Sequence, residues 1–256
     1  MKLVICLISY NRLAYTQRTL KSLLATISVP YYLVAVDNAS TDGTQQWLKE
    51  QLHNKSINKL ILNKKNKYPG AACNAGWDVG LKNFPEATHL MRCDNDRVFY
   101  KKGWDQKAIE YFETYTNLGQ LGIDTTEVLD KAEERWPSDK EYEYEWHNFD
   151  SPTFRSPLRT KKNGLTLLVW PGTVDGLSII KREIYDNGIR HDETPWHNDG
   201  TPTKQEDCKF TTEVLKAGYG AGYITDKFVK HLGADRYSKK YHKYYQTTLK
   251  ERGYIK

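Results

Sequence analysis

The sequence is poor in sulfur, with four cysteines and two methionines in 256 residues. Cys6, Cys73, Cys93 and Cys208 are scattered and form no C-x-x-C pair. That spacing argues against a zinc cluster and favours reduced thiols in a cytoplasmic protein. No apolar run is long enough to span a bilayer. The segment Met1 to Ile8 carries one charge and a short apolar run, and it lacks a small-residue cleavage site. It therefore reads as a first strand and not as a signal peptide. No G-x-x-x-x-G-K-[ST] stretch occurs, which argues against a P-loop nucleotide hydrolase. Gly218-x-Gly220-x-Gly222 imitates a dinucleotide fingerprint but follows a helix and precedes a strand, the reverse of a pyrophosphate cradle. There is no internal repeat.

A general excess of positive charge is lacking too. The formal net charge is +6, yet residues 227–256 hold nine Lys or Arg against Asp235 and Glu251, a local +7. The remainder is therefore at about −1 by subtraction. Between Glu127 and Asp150 nine acids face Lys131, Arg135 and Lys140. The basic character belongs to a tail, 235–256, in which tyrosines alternate with lysines. That pattern suits a solvated helix, or contact with a membrane surface, a nucleic acid or an anionic acceptor.

What is present first is an alternation of strands and helices. Leu3 to Ile8 is a continuous apolar run, as expected of a strand buried on both faces of a parallel sheet. Leu20, Leu23, Leu24 and Ile27 recur at helical spacing. Tyr31 to Val36 is a second strand, and the following loop, Asp37 to Thr44, is dense in helix-capping residues. Lys59 to Leu62 is a third strand. Gly70 to Gly76 opens a helix of small residues. Thr88 to Cys93 is a fourth strand, ending in Asp94-Asn95-Asp96. This order predicts an α/β domain with a central, mostly parallel (mixed) sheet flanked by helices. In such sheets ligands bind beyond the carboxyl ends of the strands. Three polar loops fall there: Ser9-Tyr10-Asn11-Arg12, Asp37 to Thr44, and Asp94 to Asp96.

In an extended chain Asp94 and Asp96 would point the same way. Paired carboxylates at a strand end suit a hard cation, Mn2+ or Mg2+, which takes carboxylate oxygen and keeps positions open for phosphate. A turn is the competing reading. An EF-hand is excluded, because Val98 and Phe99 occupy positions that need a ligand and a glycine.

Beyond Asp96 the alternation fades. A helix bears Trp104, Ala108, Tyr111, Phe112 and Tyr115, followed by a short strand near Leu121 to Asp124. Residues 125–164 read as an irregular insertion whose Trp136, Tyr142, Tyr144 and Trp146 pack loops or stack on sugar faces. Leu165 to Trp170 and Val174 to Ile180 read as a strand pair joined through Pro171-Gly172. Lys181 to Tyr185 reads as a short helix. Gln205-Glu206-Asp207-Cys208 opens another helix, where two acids also suit the helix dipole. Tyr223 to Val229 is a last strand, followed by His231.

Taken together these residues resemble a GT-A glycosyltransferase of family 2. The markers are the strand into Ser9-Tyr10-Asn11, the run Val36 to Thr44, the segment Asn63 to Gly76, and Asp94-Asn95-Asp96. Gly176 with Lys181-Arg182, and Glu206-Asp207 followed by Gly218, complete the ordered set. The resemblance implies one domain over 1–234, with a nucleotide-binding half (1–100) and an acceptor-side half (101–234). It implies metal-dependent, inverting transfer of a sugar from a nucleoside-diphosphate sugar to an acceptor hydroxyl. Donor contacts would come from Ser9, Tyr10, Asn11, Arg12, Asp37, Asn38, Asn74, Asp94 and Asn95. The metal, Mn2+ or Mg2+, would be held at Asp94 and Asp96, chiefly Asp96, with His231 at the place of a further ligand. Asp207 would be the catalytic base, with Glu206 beside it.

Two departures stand out. Asn38 occupies a position where many members have aspartate, which leaves both UDP-sugars (favoured) and dTDP-sugars open as donors. Cys73 stands where a cationic diphosphate contact is common. Two other readings compete. A nucleotidyltransferase also pairs carboxylates around Mg2+, but Ser9 to Arg12 lacks the glycine-rich loop it would carry. A non-catalytic carbohydrate-binding module would not need Asp94, Asp96 and Asp207 together.

Overall fold

A computed structural model of the chain describes residues 1–123, 158–169, 174, 176–193 and 206–232. The first half alternates as expected: β1 (Leu3–Ser9), α1 (Leu13–Thr26), β2 (Tyr31–Asp37), α2 (Thr44–His53), β3 (Lys59–Leu62), α3 (Tyr68–Asn83) and β4 (His89–Asp94). Then follow β5 (Arg97–Phe99), α4 (Trp104–Thr114), β6 (Leu118–Gly122), β7 (Leu158–Lys162), β8 (Leu165–Val169) and β9 (Leu177–Lys181). The described chain continues with α5 (Arg182–Asp186), α6 (Glu206–Lys216), β10 (Gly220–Ile224) and β11 (Val229–His231).

Nine strands form one sheet in the order β3-β2-β1-β4-β9-β6-β10-β8-β7. β1 pairs parallel with β2 and β4, β2 with β3, and β6 with β10. β9 runs antiparallel to both β4 and β6, and β8 antiparallel to β10 and β7. Every residue of β1 is buried, because helices cover both faces of the sheet. On one face Leu3, Ile5 and Leu7 meet Leu20 and Leu23 of α1, Leu48 of α2 and Trp104 of α4. On the other, Val4 and Cys6 meet Ala72, Cys73 and Trp77 of α3, with Tyr185 and Phe210 beyond. All four cysteines are free thiols.

Several expectations about the second half are corrected. The strand expected near Leu121 to Asp124 begins at Leu118. β8 and β9 are not a hairpin: β9 is inserted between β4 and β6, while β8 pairs with β7 and β10. The insertion expected to be irregular ends in β7, which turns into β8 through Asn163-Gly164. Both turn residues have positive φ, 50° and 78°, as a two-residue hairpin connection requires. The rest of that segment lies outside the described residues, as do its four cited aromatics and the basic tail. The last expected strand is split into β10 and β11.

β11 leaves the main sheet and pairs antiparallel with β5, setting His231 opposite Arg97. The other edge of β5 is finished by helix hydroxyls. Arg97 N donates to Thr19 Oγ1 (3.1 Å) and Phe99 N to Ser22 Oγ (3.1 Å). Alternate strand amides thus find partners on α1 where a further strand would otherwise be needed. This small ribbon carries the end of the chain's described part back to Asp96, whose carbonyl accepts from Leu232 N at 2.7 Å.

Candidate active site

The loops after β1, β2 and β4 interlock. Asp37 is fully buried and turned inward. It accepts from Ser9 Oγ (2.9 Å), Ser40 N (2.9 Å), Ser40 Oγ (2.5 Å) and Gln45 Nε2 (2.9 Å). With so many donors on two oxygens, its carboxylate organises the loop. Asn38 lies beside it, accepting from Asn63 Nδ2 (2.9 Å) and donating to the Tyr68 carbonyl (3.3 Å). Asp42 completes the junction by accepting from Leu13 N (2.8 Å) and Thr44 N (3.2 Å), so one carboxylate satisfies first-turn amides of both α1 and α2. Tyr10 is partly exposed.

Asn11 and Arg12 are consecutive residues in the left-handed region, φ 53° and 59°. Such a pair is unfavourable by about 1–2 kcal/mol per residue, and it is held by contacts on every side. Asn11 N donates to Ser40 Oγ (2.7 Å), its Oδ1 accepts from Thr41 N (2.9 Å), and its carbonyl accepts from Asn95 Nδ2 (3.1 Å). The curl returns the Arg12 guanidinium to the end of β4, where NH1 meets Asp96 Oδ2 (3.0 Å) and NH2 meets Asn95 Oδ1 (2.8 Å).

Asp94 and Asp96 do not share one extended strand, because the chain turns at Asn95-Asp96 before β5 begins. Both carboxylates nevertheless lie in the field of Arg97. Asp96 lies between the guanidiniums of Arg12 and Arg97 (Nε to Oδ1, 3.5 Å) and the ring of His231 (Nε2 to Oδ2, 3.3 Å). Burial raises its pKa, but Arg12, the His231 hydrogen bond and Arg97 outweigh that and hold it well below the usual carboxylate range. Asp94 goes the other way, since burial raises its pKa more than Arg92 and Arg97 lower it.

Arg92 is the residue the sequence reading passed over. It is 3% exposed in the middle of β4. Its Nε and NH2 donate to Asp94 (3.1 and 3.3 Å), and NH1 ion-pairs Glu206 Oε1 at 3.0 Å. Burial works against its charge, but Asp94 and Glu206, with Cys73 and Asp207 adding to them, more than offset this. The available signal was a cation inside an apolar run of strand length, which must be paired if buried. Asp207 follows Glu206 in the first turn of α6, and its Oδ1 accepts from Cys208 N at 2.8 Å. Asn74 is committed elsewhere: its amide donates to the His191 carbonyl (2.9 Å) and Glu193 Oε1 (2.9 Å) and accepts from His191 N (3.1 Å). It ties α3 to the segment before α6.

Among the described residues no three His, Cys, Asp or Glu side chains are grouped so as to hold a metal ion. The donor set still fits a hard cation that completes its coordination with phosphate and water. Asp96 Oδ1 is buried and accepts no hydrogen bond among the described residues, though Arg97 Nε faces it at 3.5 Å.

A mixed sheet with its polar loops gathered at the carboxyl ends of parallel strands defines an α/β domain of the GT-A class. The sequence profile described as glycosyl transferase family 2 matches residues 4–189, more than half the chain, and the chain belongs to that family. No curated protein sequence matches it. Among solved structures, S. aureus TarS 1-349 superposes with a TM-score of 0.59 at 16% identity, over 93% of this chain and 62% of that one. TarS 1-349 in complex with UDP-GlcNAc gives 0.57 at 16% identity, over 91% and 61%. The mannosyltransferase PcManGT from Pyrobaculum calidifontis, in complex with GDP-Man and Mn2+, gives 0.56 at 14% identity, over 88% and 55%. The chain thus spans roughly three-fifths of the length of these structures.

Proposed function

We propose that the chain transfers a sugar, with inversion, from a nucleoside-diphosphate sugar to an acceptor hydroxyl. The observation that carries this reading is that the loop after β1, itself joined to the loop after β2, reaches Asn95 and Asp96 through Asn11 and Arg12, while Arg92 links Asp94 to Glu206 of α6. Neighbours of the same fold are complexed with UDP-GlcNAc, or with GDP-Man and Mn2+, which supports a nucleotide-sugar donor here. UDP-sugars are favoured, with dTDP-sugars the other pyrimidine donors. The base would stack near Tyr10, with Asn38 at its edge, since an amide both donates and accepts. Because Asp37 is consumed by its loop, it would act by holding Ser9 and Ser40 in place.

Asp96 would hold the metal, with Asp94 and His231 close to it. When bound, Mn2+ or Mg2+ supplies Lewis acidity to the diphosphate oxygens of the leaving group. Arg12 contends with any cation for the same carboxylate, and a diphosphate brings the negative charge that would let both remain. Asn95 steadies Arg12 through its Oδ1. On the acceptor side Asp207 takes the proton of the attacking hydroxyl, since a hydroxyl is a poor nucleophile until deprotonated.

The acceptor is read as anionic, drawn by the basic tail. Truncation after Gly233 should then lower acceptor affinity at low salt and flatten its salt dependence. The free thiols support a reducing, cytoplasmic setting. The described residues contain no helix long and apolar enough to cross a membrane. A thermal-shift screen of nucleotide sugars with Mn2+ tests the donor reading. A UDP-sugar should raise the melting temperature, because a ligand that binds only the native state stabilises it. A panel in which no nucleotide sugar shifts it would sink the proposal.

A further inference from the structure

We infer that Arg92 is a positioning residue that fixes the rotation of α6 and thereby aims Asp207 at the reacting centre. The inference rests on the glycosyl-transfer reading above and adds the device that aligns donor and acceptor sides. The guanidinium is a rigid planar fork. Its Nε and NH2 hydrogen-bond Asp94 on the donor side, while NH1 ion-pairs Glu206 Oε1 at 3.0 Å on the acceptor side without hydrogen-bond alignment. Glu206 is therefore drawn inward and is not simply a solvent-facing partner of the helix dipole. Its stem lies deep against α3: a Cβ added at Gly70 would stand 3.3 Å from Glu206 Cγ. Successive residues on a helix are about 100° apart. Clamping Glu206 to a cation rooted in β4 thus sets the direction in which Asp207 projects. Lysine would keep the charge but, as a single point, could not serve both carboxylates.

The test compares R92K, E206A, the double variant R92K/E206A and the apolar replacement R92M/E206L, with D207N as reference. Under the inference, R92K and E206A each lower kcat about tenfold or more while the donor KM stays within about threefold. The double variant is no slower than the worse single, because both break one link. Hydrogen exchange at residues 206–210 quickens in R92K while exchange in α3 does not. R92M/E206L, which removes both halves of the Arg92–Glu206 pair and leaves Asp94 in the field of Arg97, keeps the fold testable if the singles do not fold; it should be folded and slow. Folded R92K with wild-type kcat and wild-type exchange, or R92M/E206L turning over at the wild-type rate, would overturn the inference. A wild-type protein that cleaves no nucleotide sugar would instead indict the functional reading on which it rests.

Discussion

Gly176 stands against the outer oxygen of Asp94, and Gly176→Ala is the sharpest single probe of the site. A Cβ there would lie 2.1 Å from Asp94 Oδ2, 2.7 Å from Asp94 Cγ and 3.3 Å from an Arg97 nitrogen. Carbon and oxygen in weak contact sit about 3.3–3.6 Å apart, so the carboxylate must retreat by roughly 1 Å. The backbone resists moving instead, because Asp94 N donates to the Gly176 carbonyl at 3.0 Å. The Arg92 bonds to that carboxylate, now 3.1 and 3.3 Å, have little slack, so any part of the retreat directed away from the guanidinium takes them past hydrogen-bonding length. Overpacking costs about 1–3 kcal/mol, and a bond to a buried charge contributes about 1.5–3 kcal/mol. With partial relaxation, a loss of about 2–4 kcal/mol is expected, or roughly 5–15 °C in melting temperature for a chain of this size. Thermal unfolding by circular dichroism reads the first effect and steady-state kinetics the second, a fall in kcat/KM of about tenfold or more. Removing the carboxylate removes the clash, so Asp94→Ala/Gly176→Ala should be no less stable than Asp94→Ala alone. A Gly176→Ala protein that melts and turns over like the wild type would show that Asp94 has room to spare beside Gly176. So would strict additivity in the double variant.

Three further outcomes are expected. Asp207→Asn should keep fold and donor affinity yet lose turnover by about 10²-fold or more; a near-wild-type rate, with Glu206→Gln inactive, would move the base to Glu206. Asp96→Ala should abolish Mn2+ dependence of activity and, by leaving Arg12 and Arg97 short of a carboxylate, lower the melting temperature; calorimetry with Mn2+ alone showing unchanged binding would contradict the ligand assignment. Acid should weaken the fold through its histidines. Burial, then the N-terminal ammonium and Lys181, press His89 from 6.5 down to about 4, and burial with Arg92 lowers His191. The unfolded chain binds protons that the folded one refuses, so stability present above pH 6.5 is lost as pH falls toward 4, up to about 3 kcal/mol from His89. Melting curves between pH 7.5 and 4.5 should show this decline, and His89→Phe should flatten it.

The first half of the fold was legible because buried parallel strands announce themselves as apolar runs and their loops as polar breaks. Leu3 to Ile8 and Tyr31 to Val36 needed no tertiary information. The second half was not, because its order depends on long-range pairing. Nothing in Leu177 to Lys181 says that it inserts between β4 and β6, and β5 and β11 are three residues each, too short for a period to register. The β7–β8 hairpin does leave a signal in Asn163-Gly164, a dipeptide suited to a two-residue hairpin turn, set among charged residues. In the site, the carboxylates were visible as a motif, but their partners were not. Asp37, expected at the nucleotide, also holds its own loop together through Ser9, Ser40 and Gln45. Asn74, expected at the donor, bonds residues 191 and 193. Arg92 and Arg97 are legible only in retrospect, as cations inside a run that must be buried.

Sugar transfer and nucleotidyl transfer differ in the bond that breaks. Wild-type protein, Asp96→Ala and Asp207→Asn should each be incubated with UDP-, dTDP- and GDP-sugars and Mn2+, and the released phosphorus species followed by NMR. The wild type should release nucleoside diphosphate from at least one pyrimidine nucleotide sugar, strongly reduced in both variants, and no pyrophosphate. Release of pyrophosphate, or nucleoside diphosphate at equal rates from all three proteins, would contradict sugar transfer at this site.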